Sequence, residues 1–260
     1  MSEPDWRAPD GAVDAILAAR HGNPFAVLGP HPVDGGTAIR AFAPDAETLA
    51  AVSRSGVRVP LDRTRPEGVF EGLAPADFGP YSLSAANQGG TWSYLDPYAF
   101  DPVLGSVDDY LLVEGAHRTL YTRLGAQAIE HQKEPGVSFA VWAPHASRVS
   151  VVGDFNSWDG RRHPMRKRID SGVWEIFIPG LGEGAVYKYE ILGAAGELQP
   201  LKADPFGFAS ELRPSTASVV ARTDTFAWSD AAPPSPFQKR RMQSRYSPFH
   251  SAHPGGNRPT

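Results

Sequence analysis

The residues best suited to chemistry lie in one loop, residues 154–160, which holds Trp158 between turn-forming polar residues. A large aromatic ring is costly to leave in water, so a tryptophan in such a loop usually stacks on something. Asn156 and Asp159 flank it and could supply hydrogen bonds to the same partner. The clearest carboxylate pair is Asp108 and Asp109. These two residues are adjacent on a predicted helix, so their side chains point in different directions. We therefore predict a binding loop and no catalytic residue.

A second explanation of this loop involves the charged run that follows it. Trp158 could pack under a neighbouring domain, with Arg161, Arg162, His163 and Arg166 completing that interface. The run is denser in charge than stacking on a ligand requires. Both explanations, a ligand site and a domain interface, stay open at this point.

An internal repeat determines which elements position the loop. Five blocks recur in one order at nearly constant spacing: residues 39–46 with 139–146, 49–52 with 149–152, 68–71 with 172–175, 81–83 with 187–189, and 96–100 with 204–208. Between its second and third blocks the second copy is four residues longer, and the added length contains residues 154–160. The pattern suggests that one copy packs and the other binds.

Each copy has about seven short alternating strands with Gly and Pro turns, a pattern typical of immunoglobulin-like sandwiches. We predict an all-β protein of two tandem immunoglobulin-like β-sandwiches with a short N-terminal helix and a disordered C-terminal tail. The predicted boundaries are an N-terminal tail and helix (1–20), a first sandwich (21–104), a linker with helical turns (105–132), a second sandwich (133–228) and the tail (229–260).

Local signals predict how several elements begin, end and pack. Asp10 is expected to cap the N-terminal helix and Gly22 to end it, with a stripe formed by Val13, Ile16 and Leu17. Trp142 and Trp174 stand at alternating strand positions, so we expect both in the core.

Composition excludes several classes of function. The net charge of −4 gives no reason to expect nucleic acid or an anionic membrane as a partner. The chain has no cysteine, so a disulfide framework and a thiolate zinc site are both impossible. His21 and His31 lack a third ligand at suitable spacing, and we predict no metal and no cofactor. No apolar run reaches the ~20 residues of a membrane span, and without a signal peptide we expect a cytoplasmic protein.

Several longer motifs then resemble one known family. The segments HGNPFAVLGPH (21–31), DPYAFDPVLG (96–105), FAVWAP (139–144), GDFNSWDGRRHPMR (153–166) and KADP (202–205) are similar to the N-terminal region of bacterial 1,4-α-glucan branching enzymes. In that region a first β-sandwich precedes a carbohydrate-binding module of family 48. The resemblance extends from about residue 21 to residue 228.

The resemblance implies a glucan site on the second sandwich. Glycan-binding members of family 48 pair a loop tryptophan with a lysine and a second tryptophan. Trp158 and Lys188 match the first two, whereas Leu198 stands where the second ring would be. The resemblance thus implies stacking of Trp158 on glucose, with hydrogen bonds from Asn156, Asp159 and Lys188. The implied partner is α-1,4-glucan, as glycogen or maltooligosaccharides, bound weakly because only one ring is present.

The resemblance also implies a catalytic barrel elsewhere. Branching enzymes carry an Asp nucleophile and a Glu acid/base on a (β/α)₈ barrel, which needs about 250 residues, whereas 32 residues follow Trp228 here. We therefore expect this chain to be inactive alone. From Ala231 onward the sequence becomes basic and Pro-rich and lacks Val, Ile and Leu, which indicates disorder; we hypothesise a frame change in the gene there.

Three functions stay open from the sequence. The chain could position glucan for a barrel as part of a branching enzyme. It could instead act as a stand-alone glucan-binding module through Trp158 and Lys188. Finally, it could be an interaction domain that presents residues 161–166 to a partner chain carrying the barrel.

Overall fold

The computed structural model describes residues 6–222, and two copies of one repeat account for most of them. The first copy begins with helix α1 (Asp10–Leu17) and a 3₁₀ turn (Pro24–Ala26). Seven antiparallel strands follow: β1 (Gly29–Val33), β2 (Gly36–Phe42), β3 (Thr48–Ser53), β4 (Arg58–Arg65), β5 (Val69–Ala74), β6 (Tyr81–Asn87) and β7 (Gly90–Leu95). A 3₁₀ turn (Pro97–Ala99) closes the copy.

The second copy begins with the same order of elements, a helix and a 3₁₀ turn before the strands. Helix α2 (Ser106–Val113) and a 3₁₀ turn (Leu120–Thr122) precede eight strands: β8 (Gly125–His131), β9 (Glu134–Trp142), β10 (Arg148–Gly153), β11 (Arg166–Lys167), β12 (Val173–Pro179), β13 (Val186–Leu192), β14 (Ala209–Ser210) and β15 (Ser218–Val219). A 3₁₀ turn (Asp154–Asn156) follows β10. No helix in residues 6–222 is long and apolar enough to cross a bilayer.

The first copy is a sandwich made by one sheet that turns over on itself. Its strand order is β1-β2-β5-β4-β3-β6-β7. Strand β4 pairs with β3 through residues 58–61 and with β5 through residues 62–65, and its register shifts between Arg63 and Arg65. Such an irregularity lets one strand pass from one layer to the other. The core between the layers includes Ile39, Phe70 and Leu83.

The second copy has two separate four-stranded sheets, β10-β13-β15-β14 and β11-β12-β9-β8. Alternate residues of each sheet fill the space between them, among them Phe139, Val151, Trp174 and Tyr189. The predicted all-β class with two sandwich domains is confirmed. The predicted disordered tail lies outside the described residues.

The repeat is longer than its five sequence blocks, which changes the predicted boundary at 105–132. Strand β8 falls in that supposed linker, yet it pairs with β9 along its whole length. The equivalence extends to Gly29 and Gly125, at φ values of 92° and 86°. A Cβ on either would meet a backbone carbonyl oxygen, of Tyr98 at 2.5 Å and of Phe206 at 2.7 Å. Each glycine therefore starts the first strand of its own sandwich.

Helix α1 packs as predicted but is delimited differently. Val13 and Ile16 are buried, and Leu17 packs against the same cluster. Pro9 occupies the N-cap position, and the Asp10 carboxylate forms an ion pair with Arg65 instead of capping the helix. The helix ends at Leu17, well before Gly22. A Cβ on Gly22 would lie 3.1 Å from the carbonyl oxygen of Ser147, so Gly22 allows a close backbone approach.

The prediction for the two strand tryptophans is correct for Trp174 and wrong for Trp142. Trp174 is fully buried, whereas Trp142 is 60% exposed. Phe139 and Val141 face the core, so Trp142 follows the opposite phase of β9. It lies at the strand end, where its Nε1 donates to the Ser171 carbonyl oxygen at 3.1 Å.

A buried aspartate closes each copy. In the first, Asp96 accepts hydrogen bonds from the Tyr81 hydroxyl at 2.7 Å and the Tyr98 amide at 3.0 Å. In the second, Asp204 accepts from the hydroxyls of Tyr187 and Tyr189 at 2.7 and 2.9 Å and from the Phe206 amide at 2.8 Å. These bonds explain why Tyr and Asp-Pro recur together in the repeat.

Burial raises the pKa of Asp96 from 3.8 to about 6, against the opposing hydrogen bonds from Tyr81 and Tyr98. A raised folded-state pKa means that the folded protein binds the proton more tightly than the unfolded chain does. The contribution of Asp96 to stability is therefore full below pH 3.8 and is lost as the pH rises through about 6.

We expect Asp96→Asn to remove this pH dependence. The difference in free energy of unfolding between wild type and Asp96→Asn should shrink by up to about 3 kcal/mol between pH 4 and pH 7. Urea denaturation across that range measures it, with exposed Asp34→Asn as the matched control. A difference that stays constant with pH would contradict the prediction.

Candidate functional site

The loop after β10 holds Trp158 in one fixed orientation. Ser157 and Trp158 both adopt left-handed backbone angles, each at a φ of 58°. The Trp158 amide donates to the Gly153 carbonyl oxygen at 3.0 Å, and its indole Nε1 donates to Asp154 Oδ1 at 2.7 Å. Two consecutive non-glycine residues in this conformation are strained, and such strain concentrates at functional sites. The Trp158 side chain remains half-exposed.

Asn156 supports this loop from inside. The side chain is 1% exposed. Its oxygen accepts from the Gly153 amide, and its nitrogen bonds to the Val151 carbonyl oxygen and to His163 Nδ1, all at 2.9 Å. The Asn156 amide therefore positions the loop and presents no surface group to a sugar hydroxyl, contrary to the sequence-based expectation.

Asp159 and Lys188 reach solvent, but both already have protein partners. Arg161 binds the Asp159 carboxylate through its amide at 3.0 Å, its Nε at 2.9 Å and its Nη2 at 2.7 Å. Burial would raise the pKa of Asp159, but the hydrogen bonds and charge of Arg161 outweigh it and lower that pKa. Lys188 lies opposite Val152 on the neighbouring strand, close to the start of the loop, and donates to Thr216 Oγ1 at 2.7 Å.

The charged run after the loop contacts the first copy of the same chain. The Arg161 guanidinium lies 5.4 Å from the centre of the Phe42 ring, and Arg162 Nη1 lies 2.7 Å from Asp45 Oδ2. Arg166 lies 3.4 Å above the Phe25 ring and donates to the Phe100 carbonyl oxygen. These contacts occupy the face that the sequence assigned to an interface.

Burial dominates the electrostatics of this junction. His163 is enclosed beside Phe155, and desolvation together with the charge of Arg162 lowers its pKa to about 4. Desolvation also lowers the pKa of Arg166 to about 10, against nearby carboxylates that raise it. His163 is therefore neutral and Arg166 charged near pH 7. The Tyr98 hydroxyl completes the junction with bonds to the carbonyl oxygens of Arg162 and Pro164 at 3.2 and 3.3 Å.

Sequence reasoning left one exposed aromatic unassigned. Trp92 is 37% exposed on β7, and Tyr94 follows two residues later on the same face. The alternation of Thr91, Trp92, Ser93 and Tyr94 marks a strand with one aromatic face, a signal visible in the sequence. It does not show which neighbour that face meets.

His21 and His31, for which the sequence predicted no metal, both contact the backbone. His21 Nδ1 accepts from the Asn23 amide at 3.2 Å, and His31 Nε2 lies 3.2 Å from the Leu28 carbonyl oxygen. Within residues 6–222, no group of three or more potential ligands is placed to hold a metal ion.

Two family matches cover both copies. Residues 9–98 match the family described as alpha-1,4-glucan branching enzyme GlgB, N-terminal domain. Residues 123–207 match Carbohydrate-binding module 48 (Isoamylase N-terminal domain). The second match begins just before β8, in agreement with the strand pairing.

Curated relatives support the same assignment. The chain is 54% identical over 233 residues to the 1,4-alpha-glucan branching enzyme GlgB of Mesorhizobium japonicum, covering 89% of this chain and 32% of that protein. It is 48% identical over 257 residues to the enzyme of the same name from Cereibacter sphaeroides, covering 98% and 35%. The chain thus spans about a third of the length of these relatives. The second match includes most of residues 231–260, which the hypothesis of a frame change near Ala231 does not predict.

Solved structures are more distantly similar. The pullulanase type I from Bacillus subtilis str. 168 complexed with maltose is 19% identical over 76% of this chain and 26% of that one, with a TM-score of 0.35. That score is too low to establish a shared overall fold. The two family matches and the close relatives do establish the family: the chain belongs to the N-terminal region of the 1,4-alpha-glucan branching enzymes, with their N-terminal domain followed by a carbohydrate-binding module 48.

Proposed function

We propose that this chain binds α-1,4-glucan, as glycogen or maltooligosaccharides, and positions it as the non-catalytic N-terminal part of a branching enzyme in the cytoplasm. The relatives named as branching enzymes supply the reaction class, and the family 48 match supplies the ligand class. One structural observation carries the proposal. In the family 48 copy, strained backbone angles and a hydrogen bond from the indole hold Trp158 partly exposed in a fixed orientation.

An indole ring fixed in this way suits a sugar. A pyranose ring has an apolar face that stacks on an aromatic ring, and hydroxyl groups around its edge. Burying roughly 100 Å² of apolar surface at about 25 cal/mol per Å² contributes about 2–3 kcal/mol before ordering costs. Millimolar binding needs about 4 kcal/mol, so stacking on this ring alone gives weak binding, and further contacts along the glucan chain must add to it.

The surroundings of Trp158 limit its affinity. Leu198, where the family pattern places a second ring, is 62% exposed and offers apolar area without an aromatic face. Lys188 and Asp159 keep hydrogen-bonding capacity for a sugar hydroxyl, but both are already held by protein partners, Thr216 and Arg161. We therefore propose a weak site that aligns a long chain.

The buried carboxylates of residues 6–222 serve structural roles. Asp96 and Asp204 accept bonds from tyrosines. Glu71 accepts from the Ala8 amide at 2.8 Å, and Glu175 accepts from the Val103 and Leu104 amides at 3.0 Å. Glycoside chemistry needs two carboxyl groups facing a substrate. We therefore assign the transfer reaction to the remaining two thirds of the relatives' length.

We expect Trp158→Ala to weaken binding of maltoheptaose at least tenfold, because the stacking face is lost. Isothermal titration and retardation in glycogen-containing gels measure it. Trp142→Ala is the matched control, since Trp142 is exposed on a different sheet, and it should bind as wild type does. Unchanged retardation of Trp158→Ala would refute the site.

The interaction-domain alternative predicted that residues 161–166 face a partner chain. Arg161, Arg162 and Arg166 contact the first copy of the same chain, which argues against a role of this segment in binding a partner chain. We expect Arg166→Ala to lower the free energy of unfolding by about 2–3 kcal/mol through loss of a charged hydrogen bond and a cation–π contact. Urea denaturation measures the loss, with exposed Arg118→Ala as the control. Equal stability of Arg166→Ala and wild type would mean that this contact is not formed in solution.

A different surface favours an interaction role. Val107, Tyr110 and Val113 of α2 are 68%, 64% and 58% exposed at helical spacing. As a second candidate function, we propose that this face packs against the remaining two thirds of a branching enzyme, which this chain does not span. Tyr110→Ser should then reduce binding of a hydrophobic dye by about half and leave the melting temperature within about 2 °C, because surface substitutions cost little. Exposed Arg118→Ser is the control, and unchanged dye binding would contradict the proposal.

A further inference from the structure

A cleft opens where the two copies meet. Its volume is about 380 Å³, within the range of small-ligand sites. The first copy contributes Phe42, Trp92 and Tyr94, and the second contributes Phe155 and Leu181. The Asp45–Arg162 ion pair joins the two walls. The cleft is thus aromatic, with carboxyl groups at Asp45 and Asp96 and one arginine, Arg162.

The two aromatic residues of β7 are placed to act together. Trp92 and Tyr94 lie opposite Ala85 and Leu83 on β6, so their side chains share one face of the sheet. Their Cα atoms are roughly 7 Å apart, from the rise of about 3.4 Å per residue in a strand. Tyr94 packs against the first core, whereas Trp92 is 37% exposed. Trp92 therefore offers a ring face at the cleft while Tyr94 carries a hydroxyl deeper in it.

Polar atoms in the cleft lack partners. The Tyr94 hydroxyl makes no hydrogen bond with residues 6–222, although Asp96, Arg162 and Asp45 are its electrostatic neighbours. The Arg162 Nε is buried and also makes no hydrogen bond. A buried donor usually has a partner, so the Arg162 Nε indicates a place for a ligand or water, which the Tyr94 hydroxyl can also contact.

We propose that this cleft is a second glucan site, which takes one or two pyranose units with Trp92 as the stacking ring. The unit's hydroxyls bond to the Tyr94 hydroxyl and to the Asp45–Arg162 pair. The choice of glucan rests on the proposed function; the location does not, since the site lacks Trp158 and Lys188.

The chemistry of the cleft favours a neutral polyhydroxyl ligand. A purely apolar ligand would leave the Tyr94 hydroxyl and the Arg162 Nε without hydrogen bonds. An anionic ligand such as a nucleotide would meet the carboxylates of Asp45 and Asp96 beside a single arginine that is already paired. A sugar stacks its apolar face on the aromatic rings and forms hydrogen bonds to the polar atoms.

The test measures maltoheptaose binding by the full chain. Titration calorimetry gives the affinity, and the NMR signals of the indole N–H groups show which tryptophan is contacted. We expect the Trp92 signal to shift with maltoheptaose and Trp92→Ala to lose about tenfold in affinity for the site. Trp92→Tyr keeps an aromatic face and should bind within about threefold of wild type. Trp92→Leu keeps apolar area without a ring and should behave as the alanine variant does. Trp142→Ala is the matched control.

The outcomes separate this site from the Trp158 site. A Trp92 signal that shifts with maltoheptaose in both wild type and Trp158→Ala, together with weaker binding by Trp92→Leu, supports the cleft, even where Trp158→Ala binds as wild type. Wild-type affinity in a folded Trp92→Leu, or an unmoved Trp92 signal in wild type, overturns the cleft proposal. If only Trp158→Ala loses binding, the proposed function stands and the cleft proposal fails. Thermal melting of each variant confirms that it is folded.

Discussion

The buried amide of Asn156 connects the parts of the molecule that matter for binding. It accepts from the Gly153 amide at the end of β10, bonds to the Val151 carbonyl oxygen within that strand, and reaches His163 beyond the loop. Because all three bonds are sheltered from water, they close the loop firmly. Trp158 is the partly exposed ring of this closed loop, and the segment that contacts the first copy follows it in the chain.

The two copies keep the same internal supports, and they diverge in this loop. Glu71 and Glu175 each bind backbone amides of the segment that precedes their own sandwich. Asp96 and Asp204 each bind tyrosines of their own sheet. Buried carboxylates tolerate little change, because an unpaired charge in the core is costly. The second copy differs by the longer loop, in which Asn156 supplies buried hydrogen bonds and Trp158 supplies a partly exposed ring.

The sequence predicted the features that depend on local pattern. The repeat, the all-β class, helix α1 and the burial of Trp174 follow from periodicity and spacing. Trp142 was misassigned because alternation along β9 does not show which of its two faces meets the core. Phe139 and Val141 face the core, and Ala140, on the same face as Trp142, is buried under α2. Asn156 and the boundary at 105–132 were misassigned for a related reason. Both depend on hydrogen bonds to residues whose positions only the folded chain brings together.

The site is also less local than its motif suggests. Trp158 gains its orientation from Asp154 and Gly153, and Asn156 holds that turn closed through His163. His163 in turn is fixed because its neighbours Arg162 and Arg166 are anchored on Asp45 and Phe25 of the first copy. A binding side chain works best when its supports are themselves rigid. The first copy, which has no counterpart of the Trp158 loop, therefore belongs to the site as its support, and the second copy alone would hold the ring less firmly.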